Sequence, residues 1–290
     1  MGVSNRSSQP ALRLRRILLA TDFSPANDAP ILQTTAIARG FAAQVDVAHI
    51  IEVQPWETCP ELTLQHRIDA FQRMDAVLRS DAWKGISVSP VIRHGGAALQ
   101  IARFALENSV DLIVTGTSSR SGLTHLLLGS VAEELARTAP CPVLTVGPRA
   151  NTNFDEPVFR NIVLATGANA GAAAGVRYAA QFAAKYDAKL WIAHSLRRSD
   201  GCLQMTSERA WLKRLAPLKD SVTTVFEVGS VEQVAVELAE RESADLVMLA
   251  PGLGWLLPAI VKRVSCPVMT VRYAIPMVRP KTLGAELVTN

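Results

Sequence analysis

The sequence predicts an α/β fold built as two tandem domains, each a five-stranded parallel open sheet with helices on both faces. Three observations predict it. Short apolar runs alternate with helical patterns along the chain, the order expected of strand–helix–strand units with right-handed crossovers. Runs such as Ile17-Leu18-Leu19-Ala20 and Leu112-Ile113-Val114 lack polar alternation, as strands do when helices cover both faces of a sheet. The chain also repeats itself. Arg16-Ile17-Leu18-Leu19-Ala20-Thr21 matches Asn161-Ile162-Val163-Leu164-Ala165-Thr166, Asp111-Leu112-Ile113-Val114 matches Asp245-Leu246-Val247-Met248, and Cys141-Pro142-Val143-Leu144-Thr145-Val146 matches Cys266-Pro267-Val268-Met269-Thr270-Val271. The matches fall in the same order in both copies.

In the first copy, strands are expected near 15–21, 45–52, 87–93, 111–116 and 142–147, and helices near 26–41, 61–82, 97–108 and 130–138. Val131, Leu135 and Ala136 give the last of these helices an apolar face. The second copy is expected to place strands near 161–166, 188–194, 223–228, 245–250 and 267–272, with a shorter second helix near 206–216. Pro148, Asn151, Asn153 and Pro157 mark a linker. The domains are therefore set at 12–147 and 158–273, with loosely held tails outside them. The separation between matching residues shrinks from Ile17/Ile162 through Asp111/Asp245 to Cys141/Cys266. The second copy has thus lost material twice, the second time where the loop after its fourth strand should be.

Composition narrows the function. A length of 290 residues suits about two domains. A net charge of +4 with scattered basic residues argues against a nucleic-acid surface, since Arg13, Arg15, Arg16, Arg197 and Arg198 form no stripe with interleaved aromatics. Cys59, Cys141, Cys202 and Cys266 show no Cys-x-x-Cys spacing and no zinc pattern. Cys141 and Cys266 are repeat-equivalent and read as buried packing residues in a reducing compartment. No apolar leader and no run of about 18 apolar residues appears, so a cytoplasmic chain without a membrane span is expected.

Ligands of an open parallel sheet sit beyond the carboxyl ends of its strands, where the strand order reverses. The loops after strands one and four are therefore the candidates. After strand one stands Thr21-Asp22-Phe23-Ser24-Pro25. Asp22 could accept from a ribose hydroxyl or a base amine, or it could be a turn or cap carboxylate. Ser24 before Pro25 fits a helix start. After strand four runs Gly116 to Ser130, long for such a connection. Gly116 permits close backbone approach, and Ser130 is the expected cap of a helix whose first amides could meet phosphate oxygens. The stretch is neither a P-loop nor a G-x-G-x-x-G fingerprint. His49 and His194 are repeat-equivalent and read as structural. His94 and His125 are expected in loops near the mouth, and Glu133-Glu134 on a solvated helix face. No catalytic set stands out.

Taken together, I-L-L-A-T-D-F-S at 17–24, D-L-I-V-T-G-T at 111–117, L-L-L-G-S-V-A-E at 126–133 and C-P-V-L-T-V at 141–146 resemble the universal stress proteins, over roughly Arg15 to Arg272 as a tandem pair. The resemblance implies strand order 3-2-1-4-5 and a nucleotide crevice between strands one and four. The ATP-binding branch of that family carries G-x2-G-x9-G-(S/T) after strand four. Gly116, Gly129 and Ser130 hold its first, third and fourth places, and Ser119 stands where the second glycine belongs. The resemblance would set Thr21, Asp22 and Ile50 around adenine and ribose. It would set Thr115, Gly116, Ser119, Gly129, Ser130 and Val131 around ribose and phosphates. ATP, with magnesium, is the implied ligand. Apart from the resemblance, Arg120 is a cation beside the loop that could meet a phosphate or stand as a solvated surface arginine.

The second copy departs from that pattern. Gly167 replaces the aspartate, and Ala250-Pro251-Gly252-Leu253-Gly254-Trp255-Leu256-Leu257 replaces the loop. No nucleotide is expected there. Trp255, Leu256 and Leu257 read as surface covered by the other half. The halves are expected to pack as a pseudo-dimer through their fifth strands, and full chains could pair again. Three functions stay open: an adenine-nucleotide-binding stress-response module with a regulatory or partner-binding output, a nucleotide-free scaffold, and, ranked last, a slow ATPase.

Overall fold

Strands β1 (Arg16–Ala20), β2 (Gln44–Ile51), β3 (Val88–His94), β4 (Leu112–Gly116), β5 (Val143–Val146), β6 (Asn161–Thr166), β7 (Lys189–Leu196), β8 (Val222–Val228), β9 (Leu246–Leu249) and β10 (Val268–Thr270) form one ten-stranded sheet. Its order is β3-β2-β1-β4-β5-β10-β9-β6-β7-β8. The computed structural model describes residues 11–24, 28–52, 60–117, 128–150, 159–167, 171–196 and 221–272. Each half has the order 3-2-1-4-5, and its strands run parallel. The halves meet where β5 and β10 pair antiparallel, with Val268 opposite Thr145, Met269 opposite Leu144 and Thr270 opposite Val143.

Helices α1 (Asp28–Phe41), α2 (Pro60–Leu78), α3 (Ala97–Glu107) and α4 (Ser130–Thr138) belong to the front half. Helices α5 (Ala172–Tyr186), α6 (Val231–Arg241) and the single-turn α7 (Leu257–Ile260) belong to the rear. Alternate residues of β1 serve opposite faces of the sheet: Ile17 and Leu19 join a core with Ile37 of α1 and Met74 of α2. Leu18 and Ala20 join a second core with Ile101 and Phe104 of α3 and Leu135 of α4. Both faces are dry, which is why the strand residues are apolar without alternation.

Helices α1, α3, α5 and α6 stop in one way. Ala42, Ser109, Asp187 and Ser243 take φ of 53, 51, 52 and 49°. The next amide then bonds a carbonyl five residues back, Ala43 to Ala38, Val110 to Ala105, Ala188 to Ala183 and Ala244 to Ala239, at 2.9 Å in each case. This left-handed closure redirects the chain into the following strand. Asp111 and Asp245 then fasten strands one and four of each half at their amino ends. Asp111 Oδ2 accepts the Arg15 and Arg16 amides at 2.6 and 3.0 Å, and Asp245 Oδ2 accepts those of Arg160 and Asn161 at 2.8 and 2.9 Å.

One expected element differs. The helix expected near 61–82 ends at Leu78, because Ser80 leaves helical geometry and caps a separate 3₁₀ turn, Asp81–Trp83, through the Ala82 amide. The strand-four exit of the rear half leads into a 3₁₀ turn at Gly254–Leu256 and then α7, in place of a helix like α4. The helix expected near 206–216 lies outside the described residues. No described helix is long and apolar enough to cross a membrane.

Contacts on both faces reinforce the joint. On one face Phe41 of α1 meets Phe182 and Tyr186 of α5 at centroid distances of 5.9 and 6.0 Å, and Phe159 packs edge-on against Tyr186 at 4.9 Å. On the other, the Arg272 guanidinium donates to the last-turn carbonyls of α4, Leu135 at 3.0 Å and Ala136 at 2.6 Å. A cation suits the negative end of a helix. The backbone at Gly254 lies so near the Ala136 carbonyl that a Cβ there would sit 2.5 Å from its oxygen.

Cys141 and Cys266 are buried free thiols, and loss of solvent pushes both up to about 12. An unfolded thiol loses its proton near ~8.5. The native state therefore favours the protonated form. Its advantage is complete below that value and shrinks as pH rises towards 12. The urea midpoint, followed by circular dichroism in reductant, should fall between pH 8.5 and 10.5, and the double variant Cys141→Ala/Cys266→Ala should fall less steeply.

Candidate functional site

At β1 and β4 the chain turns in opposite directions across the front half, to β2 on one side and to β5 on the other. Register sets Ala20 beside both Ala48 and Thr115. Thr21 and Asp22 therefore leave β1 next to Thr115 and Gly116 at the end of β4, with Ile50 near the end of β2. Because β5 runs parallel to β4, α4 must run back against them, so its first turn stands at the same end of the sheet. Val131 packs on the core cluster that contains Ile50. The fold thus gathers Thr21, Asp22, Ile50, Thr115, Gly116, Gly129, Ser130 and Val131 at one end of β2-β1-β4. Ser119, Arg120 and His125 lie outside the described residues.

The exit of β1 is a tight, bonded turn. Thr21 Oγ1 accepts the Phe23 amide at 3.0 Å, and Asp22 Oδ1 accepts the Ser24 amide at 2.9 Å. The turn reading of Asp22 is therefore correct as far as it goes. That bond uses one of the roughly four acceptor sites of a carboxylate. Thr115 is buried and its hydroxyl donates to the Gly116 carbonyl at 3.3 Å.

Ser130 is not the cap of α4. Gly129 takes the cap position, with extended backbone and no side-chain hydrogen bond, and Ser130 is the exposed first residue of the helix. The first-turn amides of α4 are thus not satisfied by a cap side chain, unlike those of α6, where Ser230 accepts the Gln233 amide at 3.1 Å. Such amides, at the positive end of the helix dipole, suit an anion. α3 has another arrangement: Glu52, at the end of β2, accepts the Ala97 amide at 3.3 Å. Nothing in the local sequence pairs Glu52 with Ala97.

The rear crevice is filled by its own backbone. Gly171 precedes α5, and a Cβ on it would collide with the Pro251 carbonyl oxygen. One turn on, a Cβ at Gly175 would lie 2.8 Å from the Ala250 Cβ. The loop after β9 therefore rests on the start of α5, over the place that corresponds to the front crevice. The spacing of Gly171 and Gly175 was the readable signal, since two glycines four apart on a helix open one face to close approach. Leu256 and Leu257 are buried, as expected of surface covered by the other half. Trp255 is 67% exposed, against expectation, because the 3₁₀ turn directs its flanking residues, Gly254 and Leu256, inward.

Both repeat-related histidines are buried and bonded. His94, expected in a loop, is the last residue of β3, paired with Ile51, because the strand continues until Gly95 turns at φ 120°.

These features define a parallel α/β protein with a strand-order reversal in each half: at the front one stand a carboxylate turn and a helix start without a side-chain cap, and at the rear one the Pro251 carbonyl packs on Gly171. The model of the universal stress protein family matches residues 13–147. A universal stress protein of Methanocaldococcus jannaschii is 31% identical over 141 residues, covering 46% of this chain and 81% of the relative. One from Thermus aquaticus is 30% identical over 142 residues, covering 46% and 98%. The chain belongs to the universal stress protein family. Both halves align with the crystal structure of a universal stress protein from Archaeoglobus fulgidus, at a TM-score of 0.70 and 17% identity, over 90% of this chain and 97% of that one; this likeness concerns the fold.

Closure of the rear crevice predicts a sharp difference between glycines. Gly171→Ala should destabilise the chain by at least about 2 kcal/mol in urea unfolding, because its Cβ meets backbone that must move. Gly96→Ala, with nothing within 4 Å of the added Cβ, should stay within about 1 kcal/mol of the parent.

Proposed function

We propose that this protein is a cytoplasmic stress-response module whose front half, residues 12–147, binds one adenine nucleotide, ATP with magnesium. Its output is regulatory or partner-binding, ahead of slow ATP turnover. The degenerate rear half, 158–273, binds none. Thr21, Asp22 and Ile50 would face adenine and ribose. Thr115, Gly116, Ser119, Gly129, Ser130 and Val131 would face ribose and phosphates, with the amides at the start of α4 donating to phosphate oxygens.

The observation that carries this reading is the contrast between the two strand-order reversals. In the rear, the Pro251 carbonyl rests against Gly171, and glycine stands where the front has Asp22. In the front, a carboxylate and a helix start without a side-chain cap stand at the same end of the sheet. A carboxylate for hydroxyls and amides for phosphates are complementary to a nucleotide.

A second reading, a nucleotide-free scaffold, is favoured by Ser119, whose Cβ occupies a position held by glycine in the ATP-binding pattern. Calorimetric titration of the full chain with magnesium-ATP separates the two. One site per chain is expected, weakened about tenfold or more by Asp22→Ala and tightened by Ser119→Gly. Heat of binding seen only with Ser119→Gly would make the natural chain a scaffold, and none with either chain at millimolar nucleotide would remove the ligand altogether.

A further inference from the structure

His49 and His194 hold the same place in their repeats but bond to different groups. His49 Nδ1 lies 2.8 Å from the Thr21 carbonyl oxygen. A carbonyl only accepts, so Nδ1 carries the proton. The ring stacks against Phe23, with centroids 4.2 Å apart and planes at 29°. Phe23 itself has φ 61°. A bulky side chain enters that left-handed region only where its surroundings over-determine it, and such residues gather at functional sites. The carbonyl bond and the stack reach the turn from β2, while the Thr21 and Asp22 side chains close it locally.

In the rear, His194 Nδ1 pairs with the Thr166 hydroxyl at 2.9 Å, and its ring meets Phe226 of β8 edge-on at 5.6 Å. Gly167 follows Thr166, so no carboxylate is carried there. The rear histidine joins strand to strand. The front histidine instead holds the turn that bears Asp22.

We infer that His49 is a positioning residue for nucleotide recognition: through the Thr21 carbonyl and the Phe23 ring it presets the turn that aims Asp22 at the nucleoside portion of the ligand. This rests on the nucleotide reading above. The phosphate portion, held from the start of α4, does not depend on the His49 contacts.

The test titrates the full chain, in separate experiments, with magnesium-ATP and with magnesium tripolyphosphate, which has neither sugar nor base. His49→Leu removes the donor, Phe23→Leu removes the stack, and His49→Asn keeps an N–H within reach of the Thr21 carbonyl. His49→Leu and Phe23→Leu should each weaken ATP about tenfold while leaving tripolyphosphate within about twofold. His49→Asn should recover most of the loss caused by His49→Leu. Equal weakening of both ligands, or unchanged ATP affinity, overturns the inference. If His49→Leu fails to fold, Phe23→Leu decides, because that ring is only partly buried. If tripolyphosphate binds the parent too weakly to measure, recovery in His49→Asn decides. A parent chain that binds no ATP removes the nucleotide reading and this inference with it, whereas a parent that binds ATP and variants that match it remove this inference alone.

Discussion

The antiparallel pairing of β5 with β10 is the constraint on which the rest of the structure depends. The strands of each half pair parallel, and each half by itself would end in an edge made of Val143 and Leu144 or Val268 and Met269. These side chains are fully buried in the joined sheet. An open apolar edge invites uncontrolled pairing. Joining the two edges antiparallel satisfies both, and it fixes the relation of the halves as a local two-fold turn. That turn brings α1 against α5 on one face and α4 against the Gly254 turn on the other. Arg272 reaches the end of α4 only because β10 lies beside β5.

Carrying both halves on one chain changes what can vary. In a pair of identical subunits, a substitution at one crevice appears at both. Here Asp22 follows β1 in the front half while Gly167 stands at the matching place in the rear, and the rear loop rests on Gly171, a residue the front half does not repeat. The repeated histidine shows the same freedom, with identical placement and different partners. The rear half keeps the parts that build the joint and the core. The differences at the ends of strands one and four lie where a packed interior places few demands.

Much of this was legible in the sequence. The apolar runs set the strands to within a residue or two, and the repeat set the two halves and their meeting strands. What escaped was chemistry that is not local. The helix ends gave no glycine signal, because Ala42, Ser109, Asp187 and Ser243 take the left-handed position. Ser130 looked like a cap, but a glycine one residue earlier has the cap geometry. Trp255 read as covered because its neighbours are apolar, whereas a turn of three residues per cycle need not bury them all. The bond from Glu52 to α3 joins distant segments, and no periodicity encodes such a meeting; Gly171 and Gly175 mark a helix face open to close approach but do not name Pro251 as its neighbour.

The outer border of the sheet at β3 has a property of its own. The bonds from Val45 to Ser87 and from Gly95 to Ile51, together with the register of β2 and β3, turn the even-numbered backbone groups of β3 away from β2. Pro90 is one of these, at the middle of the strand. A proline there presents no amide hydrogen to a visiting strand, so lengthening of the sheet on this flank meets a missing donor halfway along. A chain that spends one apolar border on an internal seam has its far border blunted by a single ring.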